Sequence, residues 1–166
     1  MKFLKFLDSF DNFSCFQSIT YVDHKFSITH EHINWILNNR DEAKDVLIRE
    51  TPLQKETLSA EIDAARGQER YERHMQETRA YLYALISNGL ISENIRIMNT
   101  GLIHYINPTN ARPLSDAVYE ACWRLKQPEC QILWAALSQI HPVKVQRVAW
   151  EALNPLWAAP ERPTQI

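Results

Sequence analysis

Apolar residues recur at helical spacing along most of this chain of 166 residues. Recurrence at every third or fourth position predicts helices with one buried face. Two of these sets are Leu58, Ile62 and Ala65, and Leu114, Val118 and Leu125. With 45% hydrophobic and 23% charged residues, the composition is that of an ordinary globular protein. We therefore expect a mainly α (α+β) fold in a single domain over residues 1–166.

Local patterns divide the chain into four sub-regions. Residues 1–50 combine a Phe-rich amphipathic helix over residues 2–14, a hairpin and a second helix. Residues 51–112 contain a helical pair and a second hairpin. Residues 113–157 contain three helices, and we expect residues 158–166 to form a flexible tail.

Capping residues mark several helix boundaries. Thr29 is expected to cap the helix that follows the first hairpin, and Thr51 precedes a proline suited to the first turn of a helix. Gly67 interrupts the next helical pattern, which indicates either a turn or one long helix with a solvated middle. Gly89 is expected to end the following helix in a left-handed conformation.

Two segments carry β-type residues around turn signals. Residues 17–29 are rich in β-branched and aromatic side chains, with Asp23 and His24 at the turn. Residues 94–107 contain isoleucines and leucines on both sides of a turn signal at residues 99–101. We expect each segment to form a short β-hairpin.

Prolines punctuate the last third of the chain, at positions 113, 128, 142 and 155. Each of the first three precedes an apolar stripe at helical spacing, and proline is tolerated in the first turn of a helix. We expect a C-terminal bundle of three short helices over residues 113–157. Trp123 and Trp134 lie near these stripes, and we expect most of the tryptophans to be buried in the core. One that is left partly exposed would be an anchor for a partner.

Charge and cysteine content argue against several classes of function. The net charge is −2, so no overall positive field draws the chain to nucleic acid or to an anionic membrane. No apolar run approaches the roughly 18 residues that cross a bilayer, and no membrane partner is expected. Cys15, Cys122 and Cys130 form no Cys-x-x-Cys pair, which indicates reduced thiols in a cytoplasmic protein.

No catalytic constellation is recognisable in the sequence. The chain has three glycines, too few and too scattered for a Gly-rich phosphate-binding loop, and it has no Gly-x-Ser-x-Gly elbow. We therefore expect a protein that is not an enzyme and has no cofactor.

Three histidines are weak candidates for metal ligands: His24, His30 and His32. His30 and His32 are two residues apart, so on a helix they point to different sides. Surface or capping roles are favoured over a metal site.

A ridge of basic residues is the predicted partner-binding site. Arg66, Arg70 and Arg73 follow one another at helical spacing, with Tyr71 and His74 beside them. Arginine and tyrosine anchor many protein interfaces, and the planar guanidinium also suits phosphate contacts. Acidic residues are interleaved with the arginines, which equally fits a solvated helix with ion pairs such as Glu69–Arg73. Protein, nucleic acid and water remain the three alternatives for what the ridge faces.

The order of elements from residue 51 to residue 107 resembles that of winged-helix DNA-binding modules. Residues 83–91, Tyr-Ala-Leu-Ile-Ser-Asn-Gly-Leu-Ile, and residues 102–106, Leu-Ile-His-Tyr-Ile, look like the end of a recognition helix entering its wing. The resemblance covers about a third of the chain and implies a DNA-binding transcriptional regulator.

Three functions from different classes follow from these patterns. We favour a non-enzymatic regulator or inhibitor that docks on a partner protein or protein complex, because interface-type anchors occur without catalytic residues. Compact chains of this kind also suit inhibitors encoded by phages or mobile elements. The alternative is the winged-helix-like DNA-binding regulator, and the least favoured is a metal- or Cys-dependent enzyme. A second copy of the chain, giving a homodimer, is a further candidate partner.

Overall fold

Strands and helices alternate along the part of the chain that the structure describes. The computed structural model describes residues 15–23, 26, 28–51 and 56–153. The strands are β1 (Ile19–Val22), β2 (Val46–Glu50), β3 (Met98–Tyr105) and β4 (Val145–Val148). The helices are α1 (His30–Asn39), α2 (Leu58–Arg66), α3 (Glu69–Glu72), α4 (Met75–Ser87), α5 (Pro108–Arg124), α6 (Cys130–Leu137) and α7 (Trp150–Leu153). The predicted α+β class is confirmed.

The strands form one mixed sheet in the order β1-β3-β2-β4. β3 runs antiparallel to both of its neighbours, and β4 lies parallel to β2 at the other edge. Seven of the eight residues of β3 are buried, which fits a central strand covered on both faces. The register between β2 and β3 shifts between Ile48 and Arg49, so the ladder contains a bulge at that point.

Each face of the sheet has its own apolar core, because successive side chains of a strand point to opposite faces. Val46 and Ile48 pack with residues of α5 and α6. Leu47 packs on the other face with residues of α1 and α7. The sheet is therefore the inner layer between two layers of helices.

α6 connects the sheet to the helices of the middle of the chain. Seven of its eight residues are buried, as expected for a helix with apolar residues on all sides. Leu133 and Leu137 belong to the core beneath the sheet. Ile132, Ala135 and Ala136 pack in a separate core with residues of α2, α3 and α4. α6 thus anchors the helical group from α2 to α4 to the sheet.

Three helix boundaries agree with the sequence patterns. Thr29 caps α1 in a capping box, in which its backbone N–H donates to the side chain of His32. Gly67 ends α2, so the chain turns there instead of continuing as one long helix. Gly89 follows α4 with a φ of 67°, in the predicted left-handed conformation.

The hairpin predicted over residues 94–107 is wrong, because residues Met98–Tyr105 form the single central strand β3. The supposed turn at residues 99–101 lies within that strand, next to the register shift with β2. A Cβ on Gly101 would lie 2.6 Å from the Phe26 ring, so this glycine permits close packing and not a chain reversal. The winged-helix order predicted for residues 51–112 therefore has no two-stranded wing at this position.

The hairpin predicted over residues 17–29 is not confirmed. Residues Ile19–Val22 form a strand, and this strand pairs with β3. Asp23, predicted at the turn, donates its backbone N–H to the Gly101 carbonyl oxygen at 2.8 Å and extends the pairing with β3. His24 lies outside the described residues.

The three-helix bundle predicted over residues 113–157 is corrected in its first and last parts. α5 begins at Pro108, so Pro113 lies inside this helix and not at its start. The third apolar stripe, over residues 145–153, is divided: Val145 and Val148 belong to β4, which pairs with β2, and the rest of the stripe follows in and before α7. Its β-branched valines suit a strand, and pairing covers a backbone edge of β2 that would otherwise be exposed.

Two terminal predictions lie outside the described residues: the Phe-rich helix over residues 2–14 and the tail over residues 158–166. Among the helices that the structure does describe, none is both long enough and apolar enough to cross a membrane.

His104 is a buried titratable side chain in β3. Its Nδ1 lies 2.8 Å from Thr20 Oγ1 on β1, while its Nε2 has no hydrogen-bond partner among the described residues. Burial lowers the pKa of His104 to about 4; the positive charge of Arg40 adds to this effect and the carboxylate of Glu42 opposes it. The imidazole is therefore neutral in the folded protein at neutral pH.

Acid is expected to weaken the fold through His104. The unfolded chain takes up a proton here near pH 6.5 and the folded chain only near pH 4, so stability is lost as the pH falls between these values. The expected loss from this residue is about 3 kcal/mol. Urea unfolding of the wild type and of His104→Leu at about pH 7 and about pH 4.5 measures it. The variant should lose less stability than the wild type. Equal losses would show that protonation of His104 does not weaken the fold.

Candidate functional site

A groove lies at the carboxyl end of α5, and an exposed tryptophan forms part of its wall. The groove has a volume of about 500 Å³, which is within the range of ligand-binding sites. Trp123 itself is 76% exposed. We call this feature the Trp123 groove, and its lining includes Tyr119, Cys122, Trp123, Arg124, Lys126 and Pro128.

The helical period of α5 explains why Trp123 faces water. Val118 and Cys122 lie on the face of α5 that packs in the core beneath the sheet. Trp123 follows Cys122 by about 100° around the helix axis, which turns it away from that face. Large aromatic side chains exposed beside an apolar groove are typical of binding surfaces, where tryptophan often dominates the affinity.

A second depression, with a volume of about 800 Å³, adjoins the Trp123 groove. Lys126 and Pro128 line both depressions, so the two form one continuous surface. The remaining lining of the second depression consists of Glu69, Arg70, Glu72, Arg73 and His74. We call the two depressions together the α3–α5 surface.

The structure brings three of the five predicted ridge residues to this surface. Arg70, Arg73 and His74 line it, whereas Arg66 lines neither depression. Gly67 separates α2 from α3, so Arg66 belongs to a different helix from Arg70. Arg66 pairs with a carboxylate of its own helix at 3.7 Å.

Tyr71, the remaining ridge residue, is buried beneath Arg70. The guanidinium of Arg70 lies 4.4 Å from the centre of the Tyr71 ring, and its Nη2 donates to Gln68 Oε1 at 3.0 Å. Burial, followed by the nearby Glu129 carboxylate, raises the pKa of Tyr71 well above its usual value. Tyr71 is therefore a neutral platform that holds the Arg70 guanidinium in place.

The cations of the α3–α5 surface form no ion pair with a carboxylate among the described residues. Among the described residues, no carboxylate oxygen lies within 4.0 Å of the charged nitrogens of Arg70, Arg73, Arg124 or Lys126. Elsewhere, five arginines do pair with carboxylates: Arg40, Arg66, Arg79, Arg96 and Arg112. Within the described residues, the charges of these four side chains are therefore not compensated by direct ion pairs, although the net charge of the chain is −2.

The ion pair predicted between Glu69 and Arg73 is not formed. Arg73 follows α3 as its C-cap and keeps a helical backbone conformation, but its guanidinium does not approach the Glu69 carboxylate to within 4.0 Å. Glu69 and Glu72 still line the second depression. The α3–α5 surface thus carries four cationic side chains and two carboxylates.

A buried amide holds the two sides of this surface together. Gln127 lies just after α5, also lines the Trp123 groove and is 1% exposed. Its Nε2 donates to the Tyr71 carbonyl oxygen at 3.3 Å and to Thr78 Oγ1 at 3.2 Å. Its Oε1 accepts the Glu129 N–H at 3.0 Å. Gln127 therefore ties the segment after α5 to α3 and α4, which position the basic side chains.

Lys126 adopts the left-handed backbone conformation, with a φ of 53°. Its N–H donates to the Trp123 carbonyl oxygen, and the N–H of Gln127 donates to the carbonyl oxygen of Cys122. These two bonds form the Schellman motif that commonly ends a helix. α4 ends with the same pair of bonds, but there the left-handed residue is Gly89.

The two helix ends differ in the energetic cost of their left-handed residue. A residue with a Cβ is less stable in the left-handed conformation than glycine by roughly 1 kcal/mol. α4 avoids this cost with Gly89, whereas α5 accepts it with Lys126. Strained positions of this kind cluster at functional sites, and Lys126 is the residue at the junction of the two depressions.

The three candidate histidine ligands are not brought together. His32 is buried at the start of α1, where its side chain serves the capping box with Thr29. His30 is exposed at the first position of the same helix. His24 lies outside the described residues, and within these no group of three or more His, Cys, Asp or Glu side chains is placed to hold a metal ion.

Lys126 was not among the predicted site residues, and Trp123 was expected, like most of the tryptophans, to lie in the core. A signal for Trp123 existed, since it falls outside the apolar stripe of α5 and a large aromatic residue there must be exposed. No comparable signal existed for Lys126, because its left-handed conformation depends on where α5 ends.

Comparison of this chain with protein families, curated proteins and solved structures finds no significant match. The candidate site therefore rests on the geometry of this chain's own residues.

Replacement of Gln127 by alanine is expected to destabilise the fold by about 2–3 kcal/mol, because it leaves buried polar groups without their partner. Gln139→Ala is the matched control. It also removes two hydrogen bonds, to the backbone of Ser92, but at an exposed position, so its cost should stay below about 1 kcal/mol. Urea unfolding measures both variants, and equal losses would contradict the supporting role of Gln127.

Proposed function

We propose that this protein is a non-enzymatic regulator or inhibitor that docks on a partner protein or protein complex through the α3–α5 surface. The observation that carries the proposal is the exposure of Trp123, 76%, on the wall of an apolar groove. Residues that dominate protein interfaces are enriched in tryptophan, tyrosine and arginine, and this surface presents Trp123, Tyr119 and Arg70 together. Covering a segment of a partner is enough to block or adjust its activity without any chemistry.

The rigidity of the surface supports the same function. Arg70 is held by the Tyr71 ring and by Gln68, and Gln127 is held by three hydrogen bonds. Binding to groups that are already ordered costs less conformational entropy than binding to mobile ones. A pre-arranged surface of this kind favours recognition of a particular partner.

The distribution of charge favours a protein over duplex DNA as the partner. A surface that reads DNA follows the phosphate backbone with a dense positive stripe. Here Glu69 and Glu72 lie among the cations, and the wall around Trp123 is mainly apolar. Residues 94–107, the proposed wing, mostly belong to a buried central strand and offer no projecting hairpin.

Capture of partners from a lysate of the native host tests the proposal. Trp123→Ala removes the proposed anchor, whereas Tyr83→Ala removes an aromatic residue of similar exposure, 72%, that lies outside the α3–α5 surface. We expect quantitative mass spectrometry to identify a protein that the wild type and Tyr83→Ala retain and that Trp123→Ala loses. Equal retention by all three proteins, or no specific partner, would overturn the proposed function.

A further inference from the structure

We infer that the segment bound by the α3–α5 surface is acidic and carries a large apolar side chain next to its carboxylates. This inference rests on the proposed function and specifies the chemistry of the partner. It follows from how apolar and charged groups are arranged over the two depressions.

The apolar end of the surface is the place for one large side chain. Tyr119, Trp123 and Pro128 line the Trp123 groove, and the charged residues of its lining are Arg124 and Lys126, both cations. An anionic segment can therefore enter this end without meeting a like charge. An apolar side chain that fills the groove would be excluded from water together with the exposed indole of Trp123.

The cationic groups lie where the residues flanking that side chain would pass. Lys126 lines both depressions, so a chain that runs from one into the other must pass it. Arg70 and Arg73 line the second depression, and neither forms an ion pair with Glu69 or Glu72, which line it too. With Lys126, the cations of this depression outnumber its carboxylates by three to two. The forked guanidinium groups can each donate two parallel hydrogen bonds to a carboxylate of the partner.

The backbone at Lys126 agrees with this occupant. α5 could end with glycine at lower cost, as α4 does at Gly89. A glycine would remove the ammonium group from the junction of the apolar and cationic parts. The Lys126 ammonium group at this junction can pair with a carboxylate of the partner that lies directly beside the partner's large apolar side chain.

Selection from a random-peptide display library on the immobilised full-length chain tests the inference. The expected result is enrichment of peptides that combine aspartate or glutamate with a large apolar residue, and loss of this enrichment on Trp123→Ala. The double variant Arg70→Glu with Arg73→Glu should bind the selected peptides at least about tenfold more weakly. The matched double variant Arg66→Glu with Arg147→Glu changes the net charge equally away from the surface and should bind them nearly normally.

Several results would overturn the inference. These are enrichment of neutral or basic peptides, no enrichment above that seen with Trp123→Ala, and equal weakening of peptide binding by the two double variants.

A random single-stranded DNA oligonucleotide provides a further test. The surface would be assigned to nucleic acid if the oligonucleotide binds more tightly than any selected peptide and the same variants lose this binding. If a Trp123-dependent partner is captured from the lysate but the selected peptides are not acidic, the partner chemistry is wrong and the docking function stands. If Trp123→Ala changes neither the capture of partners nor the selection of peptides, the docking function and the inferred partner chemistry are both wrong.

Discussion

The buried amide of Gln127 is the contact on which the arrangement of the α3–α5 surface depends. α5 belongs to the layer beneath the sheet, whereas α3 and α4 belong to a separate helical core. Gln127 follows directly after the end of α5 and joins it to α3 and α4 through hydrogen bonds to Tyr71 and Thr78, while its Oε1 accepts the N–H of Glu129. Such bonds to groups that water cannot reach are costly to break, so they fix how Trp123 and the arginines stand relative to one another.

At the end of α5, the residue that would be most stable differs from the residue that would serve binding. Glycine is the residue that best tolerates the left-handed conformation found there, and α4 uses it in the same motif. α5 has Lys126 instead, beside an exposed tryptophan and close to unpaired arginines. The proposed docking function accounts for this combination, because strained and exposed residues of this kind are retained where they serve binding.

Sequence patterns predict the local features of this fold better than the long-range ones. The caps at Thr29 and Gly89 depend on neighbouring residues only, and both form as expected. β3 pairs with strands far away in sequence, and Gly101 is needed for contact with Phe26, although its neighbours resemble a turn. The residues of the candidate site show the same difference between local and long-range features. Arg70, Arg73 and His74 come from one short segment and were predicted, whereas Lys126 joins them only because α5 ends beside α3.

The substitution Lys126→Gly separates stability from binding in a single variant. We expect the free energy of unfolding in urea to rise by about 1 kcal/mol, since glycine relieves the left-handed strain. We also expect the same variant to retain less of the Trp123-dependent partner, since the ammonium group at the junction of the two depressions is lost. A variant that is more stable and retains the partner as well as the wild type would show that Lys126 has no part in binding.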